Sequence, residues 1–200
     1  MKKIYQSAIL LPFLMSMVIL SYIVYALLSA ENGLVNNTIL PLLHIDPIQW
    51  YQKPKYWPAI LIIANCWKGV GYGCLIYIAS LIGIDPTYYE AARLDGATKW
   101  QEITKITLPC LVPTIITLLL LSIGRIFYSD FGLFYQVPMN SGVLFPTTNV
   151  IDTYVYRALI EQGNISMSSA AGVYQSLVGF VIVMLSNWIV RRVDKDRALF

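Results

Sequence analysis

Long runs of apolar residues dominate the chain, and polar residues are concentrated between them. The apolar runs are Ser7 to Ser29, Pro58 to Ile82, Cys110 to Tyr128, and about Ala171 to Val190. Each is close to or longer than the ~20 residues that an α-helix needs to cross a bilayer. Because lipid cannot satisfy backbone hydrogen bonds, each run is predicted to be helix rather than strand. The pattern therefore predicts an all-α, polytopic bundle of transmembrane helices.

Composition agrees with a protein embedded in a lipid bilayer. Hydrophobic residues make up 57% of the chain and charged residues 12%, which leaves too little polar surface to cover a soluble core. We predict a single transmembrane domain over residues 1–200. Its outer loops are predicted at 30–57 and 129–170, and its inner loop at 83–109.

The basic residues indicate the orientation of the bundle. They cluster before the first run, in the 83–109 loop and after the fourth run: Lys2, Lys3, Arg93, Lys99, Lys105, Arg191, Arg192, Lys195 and Arg197. Cytoplasmic loops carry such an excess of Lys and Arg, so both termini and the 83–109 loop are predicted to be cytoplasmic. These flanks account for the net charge of +3, and no nucleic-acid partner is needed to explain it.

The start of the chain has an alternative interpretation as a cleaved secretory signal. "MKK" followed by the first run and "LLSA", ending at Ala30, fits such a signal. However, the apolar run is longer than the ~7–15-residue core of a signal peptide, which favours a retained helix.

The polar loop 83–109 contains its own helix signals. Asp85-Pro86 is a typical helix start, and the helix-forming sequence after it reaches Gly96. Thr98 and Gln101 match a capping box that begins a second helix, which runs to Leu108-Pro109. The loop is thus predicted to be two short helices joined at Gly96.

Small residues near Gly96 would let another backbone approach the first short helix. They are Ala91, Ala92 and Ala97, and they lie beside the carboxylate of Glu90. The surface fits docking onto a cytoplasmic partner, but it equally fits a loop folded against the chain's own helix ends.

The same loop resembles a known signature. Glu90-Ala91-Ala92, three residues, Gly96, nine residues, Ile106, one residue and Leu108-Pro109 resemble the loop of the membrane subunits of bacterial ABC importers. The resemblance implies a coupling helix that docks on an ATP-binding subunit, with Glu90 as polar anchor and Gly96 as the bend. The implied coupling residues are Glu90, Ala91, Ala92, Asp95, Gly96, Ala97, Ile106, Leu108 and Pro109.

Further motifs resemble the carbohydrate-uptake branch, especially permeases of polysaccharides and complex sugars. They are "YEAARLDGATKWQ", "WKGVGYG", "DTYVYR" and "YQSLVGF". The resemblance implies a type I importer permease fold in the bacterial cytoplasmic membrane, without enzymatic activity. It also implies ATP-binding subunits, a second permease subunit and an extracellular or periplasmic solute-binding protein as partners. Such permeases usually carry six membrane helices, so the first two are expected to be lacking here.

"GVGYG", Gly69 to Gly73, raises the alternative of a potassium-channel filter. Gly69 stands in place of threonine, the stretch lies inside a membrane-length run, and Lys68 would place a positive charge beside the filter. A contact between small residues of neighbouring helices fits better. A gated channel or an ATP-independent carrier remains the alternative to an importer.

Lys68 is predicted to lie about halfway through the ~30 Å hydrocarbon core, where an ammonium needs water or a partner. One interpretation places it on the translocation path with Asn65 and Tyr72. The other gives it a structural pair or a snorkelling side chain.

The outer loop 129–170 is long enough to contain structure of its own. Asn149 and Asp152 can start a helix that Gly163 ends. Its predicted apolar face consists of Ile151, Tyr154, Val155, Ala158 and Leu159.

Motifs for catalysis are absent from the sequence. It contains no G-x-x-x-x-G-K-[ST] phosphate loop and no Cys/His metal cluster, so no catalytic residue, metal or cofactor is expected. ATP is expected on a partner subunit. Cys66, Cys74 and Cys110 are interpreted as small apolar residues.

Overall fold

The computed structural model describes residues 2–126 and 128–193, and every regular element there is helical. The predicted all-α class is confirmed. The main helices are α1 (Lys2–Leu14), α2 (Met17–Leu28), α3 (Trp57–Ile82), α4 (Pro86–Leu94), α5 (Lys99–Glu102), α6 (Leu108–Gly124), α7 (Phe131–Gln136), α8 (Phe145–Thr148), α9 (Ile151–Ile160) and α10 (Ile165–Val193). Short π, α and 3₁₀ segments lie at Val35–Ile39, Leu40–Leu42, Trp50–Gln52, Pro54–Tyr56, Ile103–Thr107 and Gly142–Leu144.

Three helical stretches in the described residues are long and apolar enough to cross a membrane. They are Pro54–Ile82, Lys99–Ile123 and Ile165–Arg192. In the apolar 18-residue segment of each, only 17%, 11% and 17% of the residues, respectively, are buried within the chain. Apolar surface this extensive needs lipid or other helices to cover it.

The first apolar run, predicted as one helix from Ser7 to Ser29, is broken. Helices α1 and α2 meet at 99°. Pro12 has no N–H to donate within α1, and Ser16 has an extended backbone and caps α2 by accepting a hydrogen bond from the Ile19 N–H at 3.2 Å. The first run provides a fourth membrane span only if α1 and α2 together are taken as one bent span.

Two other helices begin earlier than predicted. The third run was expected at Cys110 to Tyr128, but its helix is continuous back to Lys99 and ends at Gly124. Helix α10 begins at Ile165 rather than near Ala171, because the Asn164 side chain accepts a hydrogen bond from the Met167 N–H at 3.0 Å. The outer loop predicted at 129–170 therefore already contains the first turns of α10.

The described residues fall into two compact units whose boundaries lie within α3 and α10. Unit 1 contains residues 2–71 and 128–175, and unit 2 contains residues 72–126 and 176–193. Unit 1 has a hydrophobic core in which α2 and the start of α3 pack with α7. Its buried members are Leu20, Val24, Trp57, Leu61, Ala64, Leu133, Val137 and Leu144.

Asn36 holds the segment 30–57 of unit 1 together. This buried amide donates to the Ile48 carbonyl at 2.9 Å, and its oxygen accepts from the Ile48 N–H at 3.2 Å and from the Trp50 indole at 3.0 Å. Every polar atom of this buried side chain is paired, and these hydrogen bonds fix the conformation of the loop.

Helix α9 confirms the helix predicted after Asn149. Of its predicted apolar face, Ala158 is buried and Ile151, Tyr154 and Leu159 are exposed, and the polar residues Thr153 and Arg157 are buried as well. The Arg157 guanidinium donates to the side-chain oxygens of Asn140, at 3.1 Å, and Asn149, and lies over the Phe145 ring. Local polar and cation–π partners thus allow the Arg157 charge to be buried.

Candidate functional site

Helix α4 begins where the sequence predicts it. The Asp85 carboxylate accepts a hydrogen bond from the Thr87 N–H at 2.9 Å, and Pro86 occupies the first turn. This bond holds the pKa of Asp85 below its usual range. The cap therefore fixes the direction in which α4 leaves the end of α3.

Gly96 ends α4 with a left-handed backbone, at a φ of +75°. The Gly96 N–H donates to the Arg93 carbonyl at 3.1 Å, and the Ala97 N–H donates to the Ala92 carbonyl at 2.9 Å. These two bonds form a Schellman motif, which favours glycine because other residues are strained at positive φ. The bend predicted at Gly96 is thus present.

The second part of the loop starts with the predicted capping box. The Thr98 N–H donates to the Gln101 side chain at 2.7 Å, and the Gln101 N–H donates to the Thr98 hydroxyl at 3.4 Å. The π segment Ile103–Thr107 connects α5 to α6, because Pro109 lacks the N–H that a regular helix would use there. This part of the loop therefore continues directly into a candidate membrane span.

Two interactions join the halves of this hairpin, residues 85–109. The buried Glu102 carboxylate binds Arg93 at 3.0 Å and Lys99 at 2.9 Å. The Tyr89 and Thr107 hydroxyls lie 2.9 Å apart. Arg93 and Tyr89 belong to α4, so both contacts hold α4 against the helix that leads into the membrane.

The structure brings the predicted coupling residues together on this hairpin. Glu90, Ala91, Asp95, Gly96, Leu108 and Pro109 are exposed, and Ala92, Ala97 and Ile106 are half-buried. The docking role of these residues remains a prediction. Their exposure leaves them accessible to a partner.

Among the large apolar side chains on the same hairpin that sequence reasoning missed, three are the most exposed. Tyr88, Leu94 and Trp100 are 59%, 89% and 72% exposed. They lie outside the four apolar runs, in a loop that is otherwise rich in charge. That contrast is the sequence signal that could have singled them out as exposed apolar residues.

The residues predicted for a translocation path belong to α3, at spacings of three and four in the sequence. Asn65 is exposed and lines a cavity of about 290 Å³ in unit 1 together with Leu61 and Phe134. Tyr72 is 51% exposed. Their role in translocation remains a prediction.

Lys68 has structural partners at the break between α1 and α2. Its ammonium donates to the Phe13 carbonyl at 3.0 Å and to the Met15 carbonyl. Both carbonyls lie where α1 ends, and Lys68 gives them a hydrogen-bond donor that lipid could not supply. This is the pairing that the alternative interpretation of Lys68 expects.

Comparison with known proteins decides the family. The family model described as "Binding-protein-dependent transport system inner membrane component" matches residues 3–195. The chain belongs to this family. The predicted resemblance to carbohydrate-uptake permeases is confirmed, and this family member is a multi-pass protein of the inner membrane.

Its relatives include transport proteins for several carbohydrates. The polygalacturonan/rhamnogalacturonan transport system permease protein YteP of Bacillus subtilis (strain 168) is 32% identical and aligns with 98% of this chain. The lactose transport system permease protein LacF of Rhizobium radiobacter is 31% identical and aligns with 91%. This chain spans about 60% of the length of each of these relatives.

A solved structure shares the fold. One chain of the bacterial alginate ABC transporter, in complex with an alginate pentasaccharide-bound periplasmic protein, matches with a TM-score of 0.88 and 36% identity. The match covers 96% of this family member and 66% of that chain.

Proposed function

We propose that this chain is the permease subunit of an ATP-driven importer of a sugar or oligosaccharide. The observation that carries the proposal is the hairpin 85–109, which is internally tied, exposed and continuous with a candidate span. A partner that moves this hairpin therefore also moves membrane helices. The chain itself catalyses no reaction.

Its partners are ATP-binding subunits, a second permease subunit and a solute-binding protein outside the cytoplasmic membrane. The alginate transporter, solved with its periplasmic protein, supports the last of these. Closure of the ATP-binding subunits pulls on α4 and changes the bundle from inward-open to outward-open. Sugar then passes from the binding protein into the bundle, along a path on which we place Asn65, Lys68 and Tyr72.

The coupling role is tested with matched glycine variants. Gly96 and Gly163 both have positive φ, and an added Cβ at either position meets no described heavy atom within 4 Å. Alanine therefore causes similar backbone strain at both, of about 1 kcal/mol. Gly96→Ala is expected to uncouple ATP hydrolysis from sugar uptake in proteoliposomes that contain all partners, whereas Gly163→Ala keeps them coupled.

The Glu90 carboxylate is tested with the same set of partner proteins. Glu90→Gln is expected to weaken association with the ATP-binding subunits, and Glu161→Gln, at another exposed carboxylate, is the control. Normal coupling in both hairpin variants would contradict the docking role. Uptake that persists without ATP would instead support an ATP-independent carrier.

A further inference from the structure

A cleft in unit 1 combines aromatic and polar side chains. It has a volume of about 300 Å³, and its walls include Tyr25, Glu31, Gln49, Tyr51 and Gln52. An adjoining cavity of about 450 Å³ shares Tyr25 and Glu31 with it. We call this region the outer cleft, because it lies at the end of α2 and in the predicted outer loop.

One aromatic wall of the outer cleft is held rigidly. The Tyr51 ring packs edge-to-face on Trp57, with centroids 4.9 Å apart, and its hydroxyl donates to the Val137 carbonyl at 3.3 Å. Trp57 is fully buried, and its indole N–H donates to the Trp50 carbonyl at 2.9 Å. A ligand that contacts Tyr51 therefore meets a surface that loses little conformational entropy on binding.

Tyr25 completes the aromatic wall. Its ring packs against Tyr51 in an edge-to-face arrangement with centroids 5.6 Å apart, and 44% of its surface remains exposed. The amides of Gln49 and Gln52 and the carboxylate of Glu31 are exposed beside these rings. The cleft thus offers the exposed Tyr25 ring as an apolar surface, with hydrogen-bonding groups beside it.

Pyranose and furanose rings have the complementary chemistry. A sugar ring has an apolar face of C–H groups that stacks on an aromatic ring, and a rim of hydroxyls that bind amides and carboxylates. Small-molecule sites commonly combine apolar walls with a few fixed polar groups, and their volumes begin near 300 Å³. Lipid tails would leave the two amides and the carboxylate unpaired.

The charge of the cleft narrows the class of sugar. Among the residues that form its walls, Glu31 is acidic and none is basic. A carboxylate of a uronic acid would lie close to Glu31 and be repelled, whereas a neutral sugar would donate hydroxyl hydrogen bonds to it. The relatives transport both acidic and neutral carbohydrates, so their names do not decide this point.

We propose that the outer cleft is a binding site for neutral sugars, in which the exposed Tyr25 ring stacks on the sugar ring, Tyr51 holds Tyr25 in place, and Glu31, Gln49 and Gln52 bind the sugar hydroxyls. The proposal rests on the sugar-importing function proposed above and adds a site and a ligand class to it.

Sugar binding to the full chain in nanodiscs tests the outer cleft directly. The measurement is saturation-transfer difference NMR with lactose, maltose and arabinobiose as neutral probes and trigalacturonate as the acidic probe. At least one neutral probe is expected to receive saturation on its C–H protons. Trigalacturonate is expected to bind at least about tenfold more weakly than that probe.

Variants show whether the saturation-transfer signal comes from the outer cleft. Tyr25→Ala is expected to abolish it, while Tyr25→Phe keeps it because the ring remains. Glu31→Gln is expected to weaken binding of the neutral probe about tenfold and to reduce the discrimination against trigalacturonate. Tyr22→Ala, one turn earlier on α2 and 64% exposed, and Glu161→Gln are the controls and keep the signal.

Three results would overturn the proposal. They are the absence of saturation on every neutral probe, an unchanged signal in Tyr25→Ala with normal helix content, and equal binding of trigalacturonate. The sugar-binding assay needs no ATP-binding subunit. If no sugar binds but Gly96→Ala uncouples ATP hydrolysis from uptake as expected, the outer cleft is not a sugar site and the proposed importer function still stands.

Discussion

At the scale of single residues, Gly71 permits a contact that no other residue type would allow. A Cβ built on Gly71 would lie 2.1 Å from the Ile9 carbonyl oxygen, so α1 and α3 touch backbone to backbone. The sequence predicts helix contact at Gly69 and Gly73, but a Cβ there meets no described heavy atom within 4 Å. Of these three glycines on α3, it is therefore Gly71 that lies at the close approach.

We predict that Gly71→Ala destabilises the protein by about 1–3 kcal/mol, because the neighbouring backbone must move. Gly69→Ala, two positions earlier on α3, is expected to be neutral or to stabilise by up to about 1 kcal/mol through helix propensity. Denaturation by sodium dodecyl sulfate in mixed micelles, followed by circular dichroism, measures both changes. Equal effects would show that the α1 contact contributes no stability.

A second residue-scale prediction concerns Leu94, whose side chain is 89% exposed on the hairpin. Leu94→Ala is expected to weaken binding to the ATP-binding subunit roughly tenfold, because an apolar contact residue loses its buried area. Ile160→Ala is the control, since Ile160 is 63% exposed but lies at the end of α9. Equilibrium binding to the purified subunit distinguishes the variants, and equal affinities would place Leu94 outside the interface.

Whether the sequence predicts a contact of a single residue depends on how far apart the contacting residues lie along the chain. The Asp85 cap, the Gly96 bend and the Thr98–Gln101 capping box involve residues a few positions apart, and each is present. The partners of Lys68 lie more than 50 positions away in the chain, so no local pattern indicates them. Arg157 is buried for a similar reason, since Asn140 comes from outside its own helix.

At the scale of elements, the hairpin is a pair of helices whose starts are fixed by side-chain caps. Helices as short as α4 are marginal alone, so the caps and the Glu102 ion pairs determine whether it is formed before a partner binds. A formed helix loses less entropy on docking. Two element boundaries that differ from the prediction, the starts of α6 and α10, lie where helix continues through polar sequence into an apolar run.

The Asp85 cap predicts a pH dependence of α4. The Thr87 N–H holds the Asp85 pKa below its usual range, so the cap stabilises α4 above the ordinary aspartate pKa of about 3.9. This contribution is lost as the pH falls through the lowered pKa of the folded state. Hydrogen exchange of residues 85–95, corrected for intrinsic rates, is expected to show falling protection below about pH 4.

Asp85→Asn provides the matched control for this pH dependence. Asparagine caps helices about as well as aspartate but does not titrate, so protection of α4 should no longer fall with pH through this group. The same pH dependence in both proteins would show that another group is responsible.

At the scale of the whole molecule, the importer function requires one orientation in the membrane. The basic residues predict that the hairpin is cytoplasmic, where ATP-binding subunits are located, and that α9 lies on the opposite side. This orientation can be measured without any partner. Asp95 in the hairpin and Glu161 at the end of α9 are both exposed, which makes them suitable labelling positions.

We predict opposite labelling of Asp95→Cys and Glu161→Cys in a chain whose Cys66, Cys74 and Cys110 are replaced by serine. A membrane-impermeant maleimide should label Glu161→Cys in spheroplasts and Asp95→Cys in inverted membrane vesicles, because each side chain is accessible from one face. Detergent-solubilised samples should label at both positions, which controls for local reactivity. Labelling of Asp95→Cys in intact spheroplasts would place the hairpin outside the cell, where no ATP-binding subunit could drive it, and the importer proposal would then be wrong.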